Sequence, residues 1–266
     1  MQIIQAATTA APDRARPEDN EDAFRVGPDW ALVLDGAGRY PGVTGGCVHP
    51  ITWIVTRLAH HIGQQLATDE PVTAVLHTAI NATMADHGPE CDLTDPLSPG
   101  ATVAFVRARG EVVDWLVLGD CVAMIERLGA GCEAVIDDRV DQLDAPVVDT
   151  AVRTYDPAHV AQARNRPGGF WVAGAVPEAA EHALVGSADR EDIARVMLCS
   201  DGVSRLIERY GWSWPNLLNL ADRAGSQRVF RAIRQAEQAD PDPRRWRGKR
   251  HDDATLVLAR ITENRP

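Results

Sequence analysis

Apolar residues spaced three and four positions apart predict amphipathic helices in several parts of the chain. Over residues 51–66 they fall at positions 51, 54, 55, 58, 59, 62 and 66, which line one face of a helix. The same spacing recurs after Pro71, from Val72 to Ile80, and again over about 214–223 and 227–238. Each of these segments is therefore predicted to pack one face against a core and to expose the other.

Short apolar runs between turn residues predict strands, and these runs occur in clusters. Residues 23–38, AFRVGPDWALVLDGAG, predict two strands around a Gly-Pro-Asp turn, and residues 101–131 predict three more. The run 112–118 is apolar almost throughout, so burial on both of its faces is expected. Because the strands cluster instead of alternating with helices, packed antiparallel sheets with helices outside are favoured over a Rossmann-like parallel sheet.

The composition indicates a soluble globular protein in a reducing compartment. Hydrophobic residues make up 45% of the 266 positions, yet no run approaches the roughly 20 residues of a membrane span. The N-terminal segment does not resemble a signal peptide, so a cytoplasmic location is expected. The net charge of −11 argues against nucleic-acid and membrane partners. Five cysteines without a Cys-x-x-Cys pair argue against a disulfide framework or a zinc knuckle.

Carboxylates stand at the ends of several predicted strands. They are Glu21, Asp22, Asp35, Asp120, Asp201, Asp252 and Asp253. If several converge at one sheet edge, they repel one another and are costly to bury unless a cation joins them. Sites made only of oxygen ligands select hard ions such as Mg²⁺ or Mn²⁺. Taken singly, each Asp-Gly pair is also an ordinary turn signal.

Six short motifs follow one another along the chain. They are NEDAF, LVLDGAG, GATVAFV, VLGDCVAM, VMLCSDGVSRLI and HDDATLVLARI. In this order they resemble the motifs of the metal-dependent PP2C-like protein serine/threonine phosphatases (the PPM family), in their bacterial form. Each motif is short, but six in register span nearly the whole chain. The resemblance implies a single phosphatase domain over residues 1–266, with 133–170 as a variable, flap-like region.

The resemblance also implies a fold and a metal site. The fold is α+β, a four-layer αββα sandwich of two mostly antiparallel β-sheets flanked by helices, with two Mg²⁺ or Mn²⁺ ions between the sheets. By motif position, Asp35 would bridge both ions and the carbonyl of Gly36 would bind one of them. Asp201 and Asp252 would complete the other. Asp253 stands where the motif has asparagine, so a slip of one residue would make Asp253 the ligand.

Further roles are implied around these ions. Glu21 and Asp22 would hold water molecules on the metals from a second layer. Asp120 would match an aspartate that helps to bind a third, weaker metal in many members. Arg205 stands where eukaryotic members have another acid of that third site, which argues against a third ion here.

The chain departs from the family pattern at two other places. The phosphate-binding arginine usually stands four residues before the NED glutamate, which is Pro17 here. Arg16, one residue away, is the predicted replacement, and Arg14 lies nearby. After the aspartate-glycine motif, Ala37 replaces a histidine of many eukaryotic members and Arg39 replaces a glycine.

The implied activity is hydrolysis of phosphomonoesters, first of all phosphoserine and phosphothreonine on proteins, by a hydroxide that bridges the two ions. A phosphorylated protein is thus the implied partner, and the oligomeric state is not predicted. Two alternatives stay open. One is a weak or inactive interaction module, since the family's GDSR turn reads GDCV at 119–122. The other is a phosphatase of small molecules on the same fold. The basic stretch RRWRGKR at 244–250 would serve either as a nucleic-acid patch or, in better agreement with the acidic chain, as a loop that attracts phosphorylated substrate.

Overall fold

The computed structural model describes residues 1–38, 43, 45–149 and 153–261, and within them helices and strands mix as predicted. The strands are β1 (Gln2–Thr9), β2 (Asp22–Val26), β3 (Trp30–Ala37), β4 (Gly100–Arg109), β5 (Val112–Leu118), β6 (Val122–Arg127), β7 (Gly131–Ile136), β8 (Val147–Asp149), β9 (Arg153–Tyr155), β10 (Leu184–Asp189), β11 (Ile193–Cys199) and β12 (Ala254–Arg260). The helices are α1 (Ile51–Leu66), α2 (Val72–Ala85), α3 (Pro157–Ala163), α4 (Asp201–Glu208), α5 (Trp214–Ala224) and α6 (Ser226–Ala239). Arg39, one of the departures from the family pattern, lies outside the described residues.

Ten of the strands form two antiparallel sheets of five strands each. The first sheet has the order β1-β12-β11-β6-β7, and the second has the order β10-β5-β4-β3-β2. Every neighbouring pair in both sheets runs antiparallel. β8 and β9 pair separately as a short hairpin. The clustering of strands along the chain therefore reflects sequential antiparallel pairing.

Side-chain alternation along β3 shows how the layers stack. Val33 faces the first sheet and shares a core with Val196 of β11, whereas Leu34 points the other way. Leu34 packs in a second core with Leu58 of α1 and Leu76 of α2. On the far face of the first sheet, a third core joins β11 and β12 to α4, α5 and α6. The result is an αββα sandwich, which confirms the predicted α+β fold.

Helical spacing in the sequence predicted the outer layers well. The buried residues of α1 are those at 51, 54, 55, 58, 59, 62 and 66, the predicted stripe. α5 and α6 begin and end within one residue of the predicted segments. No helix of the described residues combines the length and the apolar content that crossing a bilayer requires.

Sequence patterns missed three of the four strands at the sheet edges, all except β2. β1, β7 and β10 are outer strands and were not predicted. An edge strand has fewer buried neighbours, so its alternation is weak, and in β10 both Leu184 and Val185 are exposed. The prediction that residues 112–118 are buried on both faces is wrong at two positions. Val112 is 40% exposed next to the turn at Gly110, and Asp114 is half-buried.

Candidate active site

The register of β2, β3 and β4 sets two carboxylates side by side at one end of the second sheet. Asp22 pairs with Asp35 across β2 and β3, and Asp35 pairs with Thr102 across β3 and β4. Asp35 is two residues from Val33, so it lies on the face that meets the other sheet. Like charges directly opposite each other destabilise a sheet unless something neutralises them. A cation at the end of β3 would therefore stabilise this arrangement.

Three more acids reach this point from loops and from a helix start. Asp120 follows β5, Asp201 is the first residue of α4, and Asp252 lies just before β12. Burial, and after it the charge of Asp22, raise the pKa of Asp35 well above its ordinary value, and the three other acids add to the rise. These five aspartates, which we call the acid cluster, thus share one electrostatic site.

The same crowding raises pKa values elsewhere in the acid cluster. Burial raises the pKa of Asp22 to about 8, although hydrogen bonds from Ser200 and Thr255 work in the opposite direction. Burial and then the charge of Asp201 raise the pKa of Asp120 to about 7. Protons therefore compete with cations for these carboxylates near neutral pH.

Two side chains to which the sequence analysis gave no role hold Asp22 in place. Ser200 Oγ donates to Asp22 Oδ2 at 2.7 Å, and the amide of Thr255 donates to Ser200 Oγ at 3.0 Å. Thr255 Oγ1 is also 2.6 Å from Thr8 Oγ1 of β1. The bond from Ser200 to Asp22 ties the first sheet to β2 of the second sheet beside the acids, and the two bonds of Thr255 hold Ser200 and β1 in place. The signal for them was the serine of the CSDGV motif and the threonine of the closing motif.

Two side-chain cations lie against Asp252. Arg205 Nη2 is 3.1 Å from Asp252 Oδ2, and Lys249 Nζ is 3.2 Å from Asp252 Oδ1. Burial works to raise the pKa of Asp252, but Lys249 and Arg205 hold it below its ordinary value. Arg205 is itself buried, with Glu237 at 3.0 Å and Asp201 at 3.8 Å. Part of the negative charge is therefore balanced from within the protein.

The arginine that reaches the site from the N-terminal segment is Arg14. Its Nη2 donates to Glu21 Oε2 at 2.6 Å, and its Nε donates to Asp253 Oδ1 at 3.2 Å. Arg16 is 66% exposed and pairs with Asp19 at 2.8 Å. Of the two arginines, Arg14 therefore lies beside the predicted site residue Glu21, whereas Arg16 contacts Asp19 at the surface.

Asp252 and Asp253 have different surroundings. The carboxylate of Asp253 is buried and accepts the backbone N–H groups of Ala11 and Glu21, at 2.8 Å and 2.9 Å, besides Arg14. Its oxygens are thus committed to the segment between β1 and β2. Asp252 faces the acid cluster and stays the predicted metal ligand.

Gly36 lies where a side chain does not fit. A Cβ at this position would lie 2.2 Å from Cγ2 of Ile51, the first residue of α1. The amide of Gly36 donates to the carbonyl of Glu21 at 3.1 Å. The missing side chain lets β3, α1 and Glu21 meet directly beside Asp35. The role of the Gly36 carbonyl as a ligand stays a prediction.

Comparison with known proteins bears on what this site does. The family model described as "Protein phosphatase 2C" matches residues 14–242. This chain belongs to the protein phosphatase 2C family. The match covers most of the chain and includes every acid named above up to Asp201, and it confirms the family and the enzyme class predicted from the motifs. No curated protein matches the chain.

Solved structures of protein phosphatases share the fold of this family member. The serine/threonine phosphatase PstP/Ppp of Mycobacterium tuberculosis is 18% identical with a TM-score of 0.60, and 97% of each chain is covered. The catalytic domain of PstP in complex with two manganese ions is 17% identical with a TM-score of 0.59, over 99% of this chain and 100% of that one. The phosphatase Stp1 of Staphylococcus aureus is 12% identical with a TM-score of 0.59, over 98% and 96% of the two chains. At these identities the likeness concerns the fold.

The residues of this protein phosphatase 2C member suit hard divalent cations. The donors of the acid cluster are carboxylate oxygens, the ligand type that Mg²⁺ and Mn²⁺ prefer. Among the described residues, Asp201 Oδ1 is buried and has no hydrogen-bonding partner. A buried carboxylate oxygen of this kind is costly unless a ligand satisfies it. The donor set and this unsatisfied oxygen both fit a metal site.

Proposed function

We propose that the protein hydrolyses phosphoserine and phosphothreonine on protein substrates with the help of two Mg²⁺ or Mn²⁺ ions. The observation that carries the proposal is the convergence of five aspartates at one end of the sandwich, where the other four raise the cost of ionising Asp35. Such an arrangement is unfavourable without cations, so its presence supports a site built to hold them.

Five acids have roles in this proposal. Asp35 would contact both ions, and the Gly36 carbonyl would serve one of them. Asp201 and Asp252 would hold the other, and Asp22 and Glu21 would orient water around the site. When bound, the two ions lower the pKa of water between them and neutralise charge on the phosphoryl oxygens. We propose no third ion, because Arg205, which lies 3.8 Å from Asp201, stands where eukaryotic members of the family have another acid of that third site.

Two basic side chains would bind the phosphate group of the substrate. Arg14 commits Nε and Nη2 to Asp253 and Glu21, which leaves Nη1 to donate to a phosphate oxygen. Lys249 Nζ lies 3.9 Å from Glu21 Oε2, the same oxygen that Arg14 holds. Burial alone would lower the pKa of Lys249, but the charges of Asp252 and Asp35 raise it overall, so it stays cationic. Both side chains would attract the dianionic phosphate group.

A second candidate function follows from Arg205. Its guanidinium is fully buried against Asp252, so part of the charge that metals would balance is balanced already. This supports an inactive interaction module on the same fold. Asp35 and Asp22, which burial and mutual repulsion keep from ionising unless a cation is present, favour the enzyme.

The experiment is a hydrolysis assay with two substrates, a phosphothreonine peptide and p-nitrophenyl phosphate. We expect turnover of both with Mn²⁺, loss with EDTA, and recovery when Mn²⁺ is added back. Asp35→Asn should lower kcat by roughly a thousandfold, since several kcal/mol of charge stabilisation is lost. The matched control is Asp69→Asn, because the Asp69 side chain is 96% exposed.

The outcomes separate the candidates. No metal-dependent turnover in pure, folded protein would support the interaction module. Turnover of p-nitrophenyl phosphate without turnover of the peptide would support a phosphatase of small molecules. Full activity in Asp35→Asn would overturn the proposed role of Asp35.

A further inference from the structure

Two cysteines and two histidines meet at the open end of the α1–α2 hairpin. Cys47 and His49 stand just before α1, and His87 and Cys91 stand just after α2. One sulfur or ring nitrogen from each residue lies within 4.8 Å of those of the other three. All four residues are partly buried and belong to no part of the acid cluster.

The distances among three of these atoms fit a tetrahedral metal. Cys47 Sγ and Cys91 Sγ are 3.6 Å apart, and His49 Nδ1 lies 3.5 Å and 3.3 Å from them. A disulfide would need about 2.05 Å between the sulfurs. Around zinc, with Zn–S of about 2.3 Å and Zn–N of about 2.0 Å, a tetrahedron has S–S edges of about 3.8 Å and S–N edges of about 3.5 Å.

The surroundings orient the ligands. His87 Nδ1 lies 2.9 Å from the carbonyl oxygen of Thr83, to which it donates, and this leaves Nε2 as the ligand atom. The backbone N–H of His49 donates to Cys47 Sγ at 3.4 Å, a bond that favours the thiolate. The His49 ring stacks on Trp53 with centroids 4.0 Å apart and planes 17° apart, which fixes the ring.

We propose that Cys47, His49, His87 and Cys91 form a structural zinc site. Two thiolates and two imidazoles make a closed tetrahedral set that selects Zn²⁺ over the Mg²⁺ or Mn²⁺ of a carboxylate site. The lack of a Cys-x-x-Cys pair in the sequence argued against a zinc knuckle. The site uses a Cys-x-His pair and a His-x-x-x-Cys pair, which the α1–α2 hairpin brings together. The zinc site does not depend on the proposed phosphatase activity.

Bound zinc would cross-link the loop that precedes α1 to the loop that follows α2. The amide of Asp92 donates to the carbonyl of Gly46 at 2.6 Å, so the two loops already touch beside the cysteines. One loop continues from β3, which carries Asp35, and the other leads into β4, which carries Thr102. Zinc binding would thus contribute folding energy close to the strands that hold the acids.

The test measures zinc in the full-length protein purified without chelator. We expect one zinc per chain by elemental analysis in the wild type, and loss of that zinc in the Cys47→Ser/Cys91→Ser double variant. Cys132→Ser is the matched control, since Cys132 is a partly buried free cysteine outside the cluster. Asp35→Asn should also keep its zinc, which separates this site from the acid cluster.

A second measurement covers the case in which the double variant does not fold. Wild-type protein freed of zinc is titrated with Co²⁺, and tetrahedral d–d bands with a thiolate-to-cobalt charge-transfer band are expected. The proposal is overturned if the wild type binds no zinc and shows no such bands. It is also overturned if the double variant keeps its zinc, or if a thiol assay finds Cys47 and Cys91 joined as a disulfide in the wild type as purified.

Discussion

Asp252 and Asp253 are adjacent, yet the structure predicts that changing Asp252 affects metal binding and that changing Asp253 affects stability. Asp252→Asn should weaken Mn²⁺ binding by about tenfold or more and abolish turnover, because Asp252 faces the acid cluster. Asp253→Asn should instead lower the free energy of unfolding by about 1–3 kcal/mol, since an amide cannot accept all the donors that Asp253 now holds. Calorimetric Mn²⁺ titration and thermal unfolding measure the two effects. Loss of Mn²⁺ binding in Asp253→Asn alone would make Asp253 the ligand.

Arg14 and Arg16 offer a second matched pair of residues. Arg14→Ala should raise KM for the phosphopeptide by about tenfold, about 1.4 kcal/mol, through loss of a donor to the phosphate. It should also lower the Tm, because Asp253 and Glu21 lose their partner. Arg16→Ala should change neither value, since Arg16 is 66% exposed and pairs only at the surface. Steady-state kinetics on both variants check this, and an equal effect in the two would contradict the assignment.

At the scale of elements, Arg205 links α4 to α6 and to the segment before β12. It pairs with Glu237, which is 0% exposed, and with Asp252. Glu237 keeps Arg234 and Asp252 keeps Lys249 when Arg205 is removed, so Arg205→Met should destabilise the metal-free protein by about 1–3 kcal/mol, the usual cost of losing hydrogen bonds to charged groups. The same change should tighten Mn²⁺ binding by about tenfold, because a competing cation is gone.

Urea unfolding and Mn²⁺ titration of Arg205→Met check the two expectations together. Arg223→Met on α5 is the control, since Arg223 is exposed. If Arg205→Met is destabilised but binds Mn²⁺ no more tightly, Arg205 is a structural cation without influence on the site.

At the scale of the whole molecule, local signals explain what could be predicted from the sequence. The apolar face of α1 and the aspartate near the end of β3 each depend on residues that are close together in the chain. Both could therefore be predicted from the sequence. The sandwich followed because the motifs with these acids came in the family order.

What could not be predicted depends on contacts between distant segments. Arg14 and Arg16 lie on an irregular segment with no periodicity to tell them apart, and only the positions of Glu21 and Asp253 select Arg14. The zinc ligands meet only after α1 and α2 fold back on each other. Edge strands such as β10 lacked a buried face that would give alternation.

The acid cluster also gives the whole molecule a pH-dependent stability. The pKa of Asp22 is raised from 3.8 to about 8 and that of Asp120 from 3.8 to about 7. Between the unfolded and folded pKa values the folded protein binds more protons than the unfolded chain, so the free energy of unfolding falls as the pH rises. Asp252, whose pKa is lowered, gives the opposite dependence only below 3.8.

We therefore expect the Tm of protein dialysed free of Mg²⁺ and Mn²⁺, without chelator so that bound zinc stays, to fall between about pH 5 and pH 8. Asp22→Asn should make this slope shallower, because it removes the carboxylate whose pKa is raised to about 8. With saturating Mn²⁺ the stabilisation should instead grow with pH, since the metal binds the deprotonated acids. Differential scanning calorimetry across this range measures all three slopes. A metal-free Tm that rises over the same range would show that the carboxylates ionise freely, and it would remove the electrostatic basis for a metal site.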